Sequence, residues 1–136
     1  MAIHWEEDLK TGVPAIDEQH EEIFAVFDKL TEAIEDGEES KEIGKLLDYL
    51  AKYATRHFSD EETLMSLYKY TGLEEQRLQH AQFKDNIGKL SEMLSSGVAT
   101  KEIAIKVNAT LIRYFINHVR KLDREMADVV KPDLKS

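Results

Sequence analysis

Six side chains in this 136-residue chain have the types and the spacing that metal binding requires. They are four histidines, His20, His57, His80 and His118, and two acids at helical distance from them, in His57-x-x-x-Glu61 and His118-x-x-x-x-Asp123. Imidazole nitrogens and carboxylate oxygens suit iron, manganese or zinc. Because the chain has no cysteine, thiolate ligands, iron–sulfur clusters and disulfides are excluded.

The number of donors favours two metal ions over one. Four nitrogens and two carboxylates exceed the four ligands of a single tetrahedral zinc ion. A helical scaffold favours a di-iron centre, although the Glu-x-x-His motifs of ferritin-like bundles are absent from the sequence. Few further acids accompany the six donors, and this favours reversible O2 binding over oxygenase chemistry.

The charge balance argues against several classes of partner. The chain carries 27 acidic and 18 basic residues, and a net charge of −9 repels phosphate backbones, so we expect no nucleic-acid binding. No apolar run approaches the roughly 20 residues that cross a membrane, so we expect no membrane partner. Because the N-terminal segment has no basic start and no apolar core, we expect a cytoplasmic protein. The sequence does not indicate a protein partner.

Turn and capping residues divide the chain into an N-terminal arm and four helices. Pro14 suits the first turn of a helix, Gly37 and Gly97 suit helix ends, and Thr100 suits an N-cap. The predicted arm covers residues 1–12, and the predicted helices cover about 14–36, 40–68, 73–96 and 100–130. A chain of this length suggests one all-α domain, residues 1–136, folded as an up-down-up-down four-helix bundle.

The candidate donors lie within the apolar stripes of these helices, where residues recur at alternating steps of three and four. The polar members of the stripes are His20 in the first helix, His57 and Glu61 in the second, Gln76 and His80 in the third and His118 in the fourth. Buried imidazoles and carboxylates are costly unless they are paired or bind metal. With a rise of about 1.5 Å per residue, all four histidines should lie near one level of the bundle.

Each of these residues alone has a simpler interpretation. A single histidine on an apolar helix face is more often a hydrogen-bonded core residue than a ligand, and His57 with Glu61 could be a simple hydrogen-bonded pair. The joint pattern of one histidine on each of four helices, all at one level, favours a metal site.

The same residues stand in motifs that resemble those of the hemerythrin family, and specifically the single-domain bacteriohemerythrins. The matching segments are Trp5 in the N-terminal arm, Gly12–His20, His57–Glu62, His80–Phe83 and His118–Asp123. The likeness runs from about Ile3 to about Met126, which is nearly the whole chain.

The resemblance implies two iron ions with an oxo or hydroxo bridge between them. The implied ligands are His20 and His57 on the iron with an open position, His80 and His118 on the other iron, and Glu61 and Asp123 as bridges. O2 or a small anion would bind at the open position.

Gln76 is the departure from the family's motifs. The family has a His-x-x-x-His motif that ends at the residue matched by His80, whereas this chain reads Gln76-Arg77-Leu78-Gln79-His80. We include Gln76 among the expected ligands, because its amide oxygen could bind iron, although more weakly than an imidazole. A water or an open position could stand there instead, or metal loading could fall, even to a single iron.

Two classes of function are compatible with these residues. The first, which the resemblance favours, is a protein without enzymatic activity that binds O2 reversibly for carriage, storage or delivery. The alternative is a di-iron oxidase or peroxidase-like enzyme, or a sensor of O2 or redox state. The alternative is favoured if Gln76 opens the second iron to small ligands.

Overall fold

Four long helices form the chain, and the prediction of an all-α four-helix bundle is confirmed. The computed structural model describes residues 9–37, 40–96 and 101–135, except for the side chains of residues 40 and 130–135. The helices are α1 (Pro14–Glu35), α2 (Ser40–Leu67), α3 (Leu73–Ser95) and α4 (Lys101–His118), followed by a π-helical segment (Val119–Asp123) and α5 (Arg124–Lys135). No strand occurs within these ranges, and no helix in them is long and apolar enough to cross a membrane.

The start of α1 is tied to the segment before it by one carboxylate. Pro14 occupies the first turn, where its missing N–H costs no hydrogen bond. Asp17 accepts hydrogen bonds from the backbone N–H and the hydroxyl of Thr11 at 2.7 and 2.8 Å, and from the N–H of Gly12 at 3.1 Å. These bonds hold the segment before the helix against its first turn. The helix ends before Gly37, whose φ of 69° is in the left-handed region that favours glycine.

Three residues on which the sequence predictions relied, Trp5, Gly97 and Thr100, lie outside the described ranges.

Phenylalanine rings from all four helices form the core beside the predicted metal ligands. Helices adjacent in sequence pack against one another, and α1 also packs against α4, which closes the bundle. The rings are Phe24 and Phe27 of α1, Phe58 of α2, Phe83 of α3 and Phe115 of α4, and neighbouring centroids lie 5.4–6.1 Å apart. All five side chains are fully buried. The predicted ligands therefore pack against an apolar wall of phenylalanine rings.

The fourth helix differs from the single uninterrupted helix predicted over 100–130. Five residues after His118 an α-helix has turned about 500°, which places the fifth residue about 140° away from the first. In the structure, residues Val119–Asp123 instead form a π-helix, whose longer turn brings a residue five positions on back to the same face. Both His118 and Asp123 therefore point into the bundle, and His118 Nε2 lies 3.1 Å from Asp123 Oδ1.

Candidate metal centre

The structure brings all seven predicted site residues together in the interior of the bundle. Their exposures are 0% for His20, Glu61 and Asp123, 1% for His57, Gln76 and His80, and 4% for His118. The described residues include two groups of four potential ligands, and within each group the ligand atoms all lie within 4.8 Å of one another. The first is His20, His57, Glu61 and Asp123, and the second is Glu61, His80, His118 and Asp123. Because the groups share both carboxylates, the arrangement has two adjacent positions for cations.

Each of the four long helices contributes at least one side chain to the cluster, and these side chains lie at the same depth of the bundle. His57 and Glu61 stand one turn apart on α2, so both point to the same side. The π-helical segment gives His118 and Asp123 the same relation in spite of their longer spacing. His20 on α1 then faces Asp123 across the bundle, with His20 Nε2 3.0 Å from Asp123 Oδ2.

Several inward-pointing atoms are close together without an aligned hydrogen bond. His57 Nε2 lies 2.6 Å from Glu61 Oε1. Among the described residues, neither atom has an aligned hydrogen-bond partner, and neither do His20 Nε2 and Asp123 Oδ2. Buried polar atoms are nearly always satisfied. Nitrogen and oxygen atoms that lie this close together without aligned hydrogen bonds are typical of ligands directed at a shared cation.

Hydrogen bonds on the outer side of three imidazoles determine which nitrogen carries the proton. His57 Nδ1 donates to Gln19 Oε1 at 2.6 Å, and His118 Nδ1 donates to Gln79 Oε1 at 3.0 Å. His80 Nδ1 donates to Glu62 Oε2 at 2.8 Å. We assign these tautomers from the acceptors that the rings face. The Nε2 atoms of neutral rings then carry lone pairs that point into the cluster.

His80 and His118 show why a cation is needed. Their Nε2 atoms lie 3.2 Å apart. With both Nδ1 protons engaged outside the cluster, two lone pairs would face each other at this distance. A proton or a metal ion between or beside the two nitrogens removes the repulsion. The residues present therefore fit nitrogen- and oxygen-bound metal ions.

The pKa values of the two carboxylates and of His118 show where the cluster can hold protons. Burial, followed by the charge of Asp123, raises the pKa of Glu61 well above its usual value. Burial alone would lower the pKa of His118, but Asp123 outweighs it and the pKa is raised. Burial likewise opposes ionisation of Asp123, yet His118 and His20 hold its pKa well below the usual value. Protons on Glu61 and His118 thus balance the charge of Asp123.

Burial keeps the imidazoles of His57 and His80 neutral. Burial lowers the pKa of His57 to about 4 and that of His80 to about 4. Their nitrogens are therefore available as ligands at neutral pH without losing a proton first.

Gln76 contacts the cluster through its amide nitrogen. Its Nε2 donates to Asp123 Oδ1 at 3.1 Å, which orients the amide because a carboxylate oxygen needs a donor. Its Oε1 is buried and has no hydrogen-bond partner in the described part of the chain. The side chain therefore offers one unpartnered oxygen donor beside the cluster.

The sequence analysis missed the three outer partners, Gln19, Glu62 and Gln79. Each lies next in sequence to a predicted ligand, at His20, Glu61 and His80 respectively, but contacts a histidine on another helix. A side chain beside an inward-pointing residue lies at a helix interface, and this position was the available signal. Pairing across helices is not visible in the spacing along one helix.

Aromatic side chains exclude water from the side of the cluster that holds His80 and His118. The lining comprises Phe58, Phe83, Tyr114 and Phe115 together with Gln79 and the two histidines, and it leaves no space for a water molecule. Tyr114 closes this wall at the surface, where its hydroxyl donates to Gln82 Oε1 at 2.7 Å.

Comparison with known proteins identifies relatives over nearly the whole chain. The family model described as the hemerythrin HHE cation binding domain matches residues 11–130. The chain is 31% identical over 127 residues to a bacteriohemerythrin of Pseudomonas aeruginosa (strain LESB58), covering 93% of this chain and 80% of that protein. It is 31% identical over 117 residues to a bacteriohemerythrin of Methylococcus capsulatus, covering 86% of this chain and 87% of that protein. A crystal structure of wild-type hemerythrin superposes with a TM-score of 0.85 at 26% identity, covering 96% of this chain and 98% of that one.

Proposed function

This chain belongs to the hemerythrin family, and from that premise we propose that it is a non-haem di-iron protein that binds O2 reversibly. Carriage, storage or delivery of O2 would be its role, without enzymatic turnover. The observation that carries the proposal is the pair of four-residue groups that share Glu61 and Asp123, because shared carboxylates suit two adjacent metal ions.

The ligand assignment follows the two groups. The proposed ligands are His20 and His57 for the first iron, His80, His118 and Gln76 Oε1 for the second, and Glu61 and Asp123 for both. When bound, the two ferrous ions supply the electrons that O2 draws on at the site. Because His20 and His57 are the only imidazoles of the first group, an iron held there would have room for O2 or a small anion.

The protein's own residues favour binding over turnover by controlling water and protons. Phe115 packs against His20 with ring centroids 5.7 Å apart, and Phe58 stacks on His80 at 3.9 Å. These phenylalanine rings carry no group that can donate a proton. Since proton delivery drives irreversible reduction of O2, an apolar enclosure lengthens the life of the bound state.

The experiment is a measurement of O2 uptake and release. The protein is loaded with ferrous iron without air, its iron content is measured, and it is cycled between air-saturated and argon-purged buffer. We expect two irons per chain, uptake of one O2 per two irons, and recovery of the ferrous spectrum under argon over repeated cycles.

Zinc-loaded protein is the matched control, because it keeps the ligands filled without supplying electrons. Failure to take up O2, or uptake that argon does not reverse, would contradict reversible binding. A cytoplasmic location and the absence of nucleic-acid and membrane partners remain predictions.

A further inference from the structure

His80 differs from the other histidines of the cluster in the charge of its outer partner. His57 and His118 donate their Nδ1 protons to the amide oxygens of Gln19 and Gln79. His80 donates to the carboxylate of Glu62 at 2.8 Å. His20 Nδ1 has no hydrogen-bond partner in the described ranges. A charged acceptor is therefore present on one imidazole of the second group.

The contact between His80 and Glu62 is held in a fixed geometry. Phe58 stacks on the His80 ring with centroids 3.9 Å apart and planes 8° from parallel. Tilting the ring would break this stacking contact, and the hydrogen bond to Glu62 selects the orientation in which Nε2 is directed into the cluster. The His80 side chain is 1% exposed, whereas that of Glu62 is 26% exposed.

Arg77 does not cancel the charge of Glu62. Its Nε lies 3.4 Å from Glu62 Oε1, at the limit of a hydrogen bond, while its guanidinium donates to Glu74 Oε1 at 2.7 Å. The other oxygen of Glu62 remains for His80. Arg77 is 49% exposed, so its charge is largely screened by water.

We propose that Glu62 is a positioning residue that acts through His80 to strengthen the second metal position and to offset the weaker donor at Gln76. A carboxylate that accepts the outer N–H of a metal-bound imidazole makes that imidazole more basic and fixes its orientation. His80 then supplies part of the donor strength that a third imidazole would otherwise supply. The inference rests on the proposed two-metal function.

The test replaces the charge and keeps the hydrogen bond. In Glu62→Gln the amide oxygen still accepts from His80 Nδ1, so His80 comes to resemble His57 and His118. We expect the dissociation constant of the second zinc ion, measured by chelator competition, to rise about tenfold, at the lower end of the range for such outer partners. The first zinc ion should bind as in the unsubstituted protein.

Glu74→Gln is the matched control. It removes a carboxylate from the same arginine, but Glu74 is 83% exposed and bonds to Arg77 rather than to an imidazole. This variant should bind both zinc ions normally. Equal affinity of Glu62→Gln and Glu74→Gln for the second zinc would overturn the proposal.

A second variant separates donor strength from structure. Gln79→Glu in the Glu62→Gln background places a carboxylate on His118, the other imidazole of the same metal position. We expect Glu62→Gln to raise the reduction potential of the iron-loaded protein. The added Gln79→Glu should lower this potential again and restore the affinity for the second zinc ion. Failure to rescue both quantities would show that Glu62 serves packing alone.

The outcomes distinguish this proposal from the function on which it rests. An unsubstituted protein that binds a single metal ion would contradict the di-iron proposal whatever the variants do. Two bound ions with no effect of Glu62→Gln would contradict only the role of Glu62. Thermal unfolding of the metal-free variants, which should match the unsubstituted protein, checks that each is folded.

Discussion

Gln76 is the residue that makes the two halves of the cluster unequal in donor strength. Its amide nitrogen bonds to Asp123 and its buried oxygen has no hydrogen-bond partner among the described residues, so it fits a weak oxygen ligand. Its position was predicted from the third apolar stripe, because a buried amide in line with His80 departs from the apolar pattern. The ligand set itself, with Gln76 in it, stays a prediction.

Replacing Gln76 with histidine should tighten the second metal position. An imidazole nitrogen is a stronger donor to ferrous iron or zinc than an amide oxygen, so in Gln76→His we expect the second zinc to bind about tenfold more tightly, which is about 1.4 kcal/mol. Chelator competition measures this change. Lys84→His, on an exposed face of the same helix, should leave both affinities unchanged. Equal behaviour of the two variants would show that position 76 does not contact metal.

Among the elements, the π-helical segment has the most direct effect on the site. On α2 an ordinary four-residue step presents His57 and Glu61 to the cluster, whereas a five-residue step separates His118 from Asp123. The sequence analysis treated both steps as helical. Two residues five positions apart face the same side only in a π-turn, because it contains one residue more than an α-turn.

Deletion and insertion within this segment should therefore have unequal effects. Deleting Lys121, which is exposed, converts the π-turn to an α-turn and leaves a four-residue step, so α5 keeps its packing and both metal ions are retained. Inserting an alanine after Lys121 rotates α5 by about 100°. It should expose Met126, now fully buried, and lower the free energy of unfolding by about 1.5–3 kcal/mol. It should also weaken both metal positions, because Asp123 belongs to both groups of potential ligands.

Chemical denaturation and metal content measure both effects. An alanine inserted between Asp36 and Gly37, in the exposed turn after α1, is the control and should be tolerated. If deletion and insertion at Lys121 are equally damaging, the π-turn is not the device that aligns Asp123.

At the scale of the whole molecule, the bundle couples metal binding to protons. Four helices bury every ionisable group of the cluster, so without metal the charge of Asp123 is balanced by protons on Glu61 and His118, whose pKa values are both raised. His57 and His80, each with a pKa of about 4, are already neutral. Metal must therefore displace the protons that Glu61 and His118 hold.

Binding of metal should release protons from Glu61 and from His118, because the pKa values of both groups are raised. The sign follows from the raised pKa values. At pH values below these pKa values protons compete with metal for the two groups. The apparent affinity for metal therefore falls as the pH falls through the pKa values. Calorimetric titration with zinc in two buffers of different ionisation enthalpy counts the protons. Release of fewer than one proton, or affinity independent of pH, would contradict this account.

The sequence by itself determined the all-α fold class and the membership in the hemerythrin family, and both are confirmed. Apolar periodicity and motif spacing are local properties, so they can be recognised in a single sequence. The tertiary structure decided what faces the outer nitrogen of each imidazole, and how Asp123 reaches the cluster. These depend on how each helix is rotated against its neighbours and on a backbone turn of unusual length. Gln19, Glu62 and Gln79 contact histidines on other helices, and no spacing within a single helix encodes such pairs.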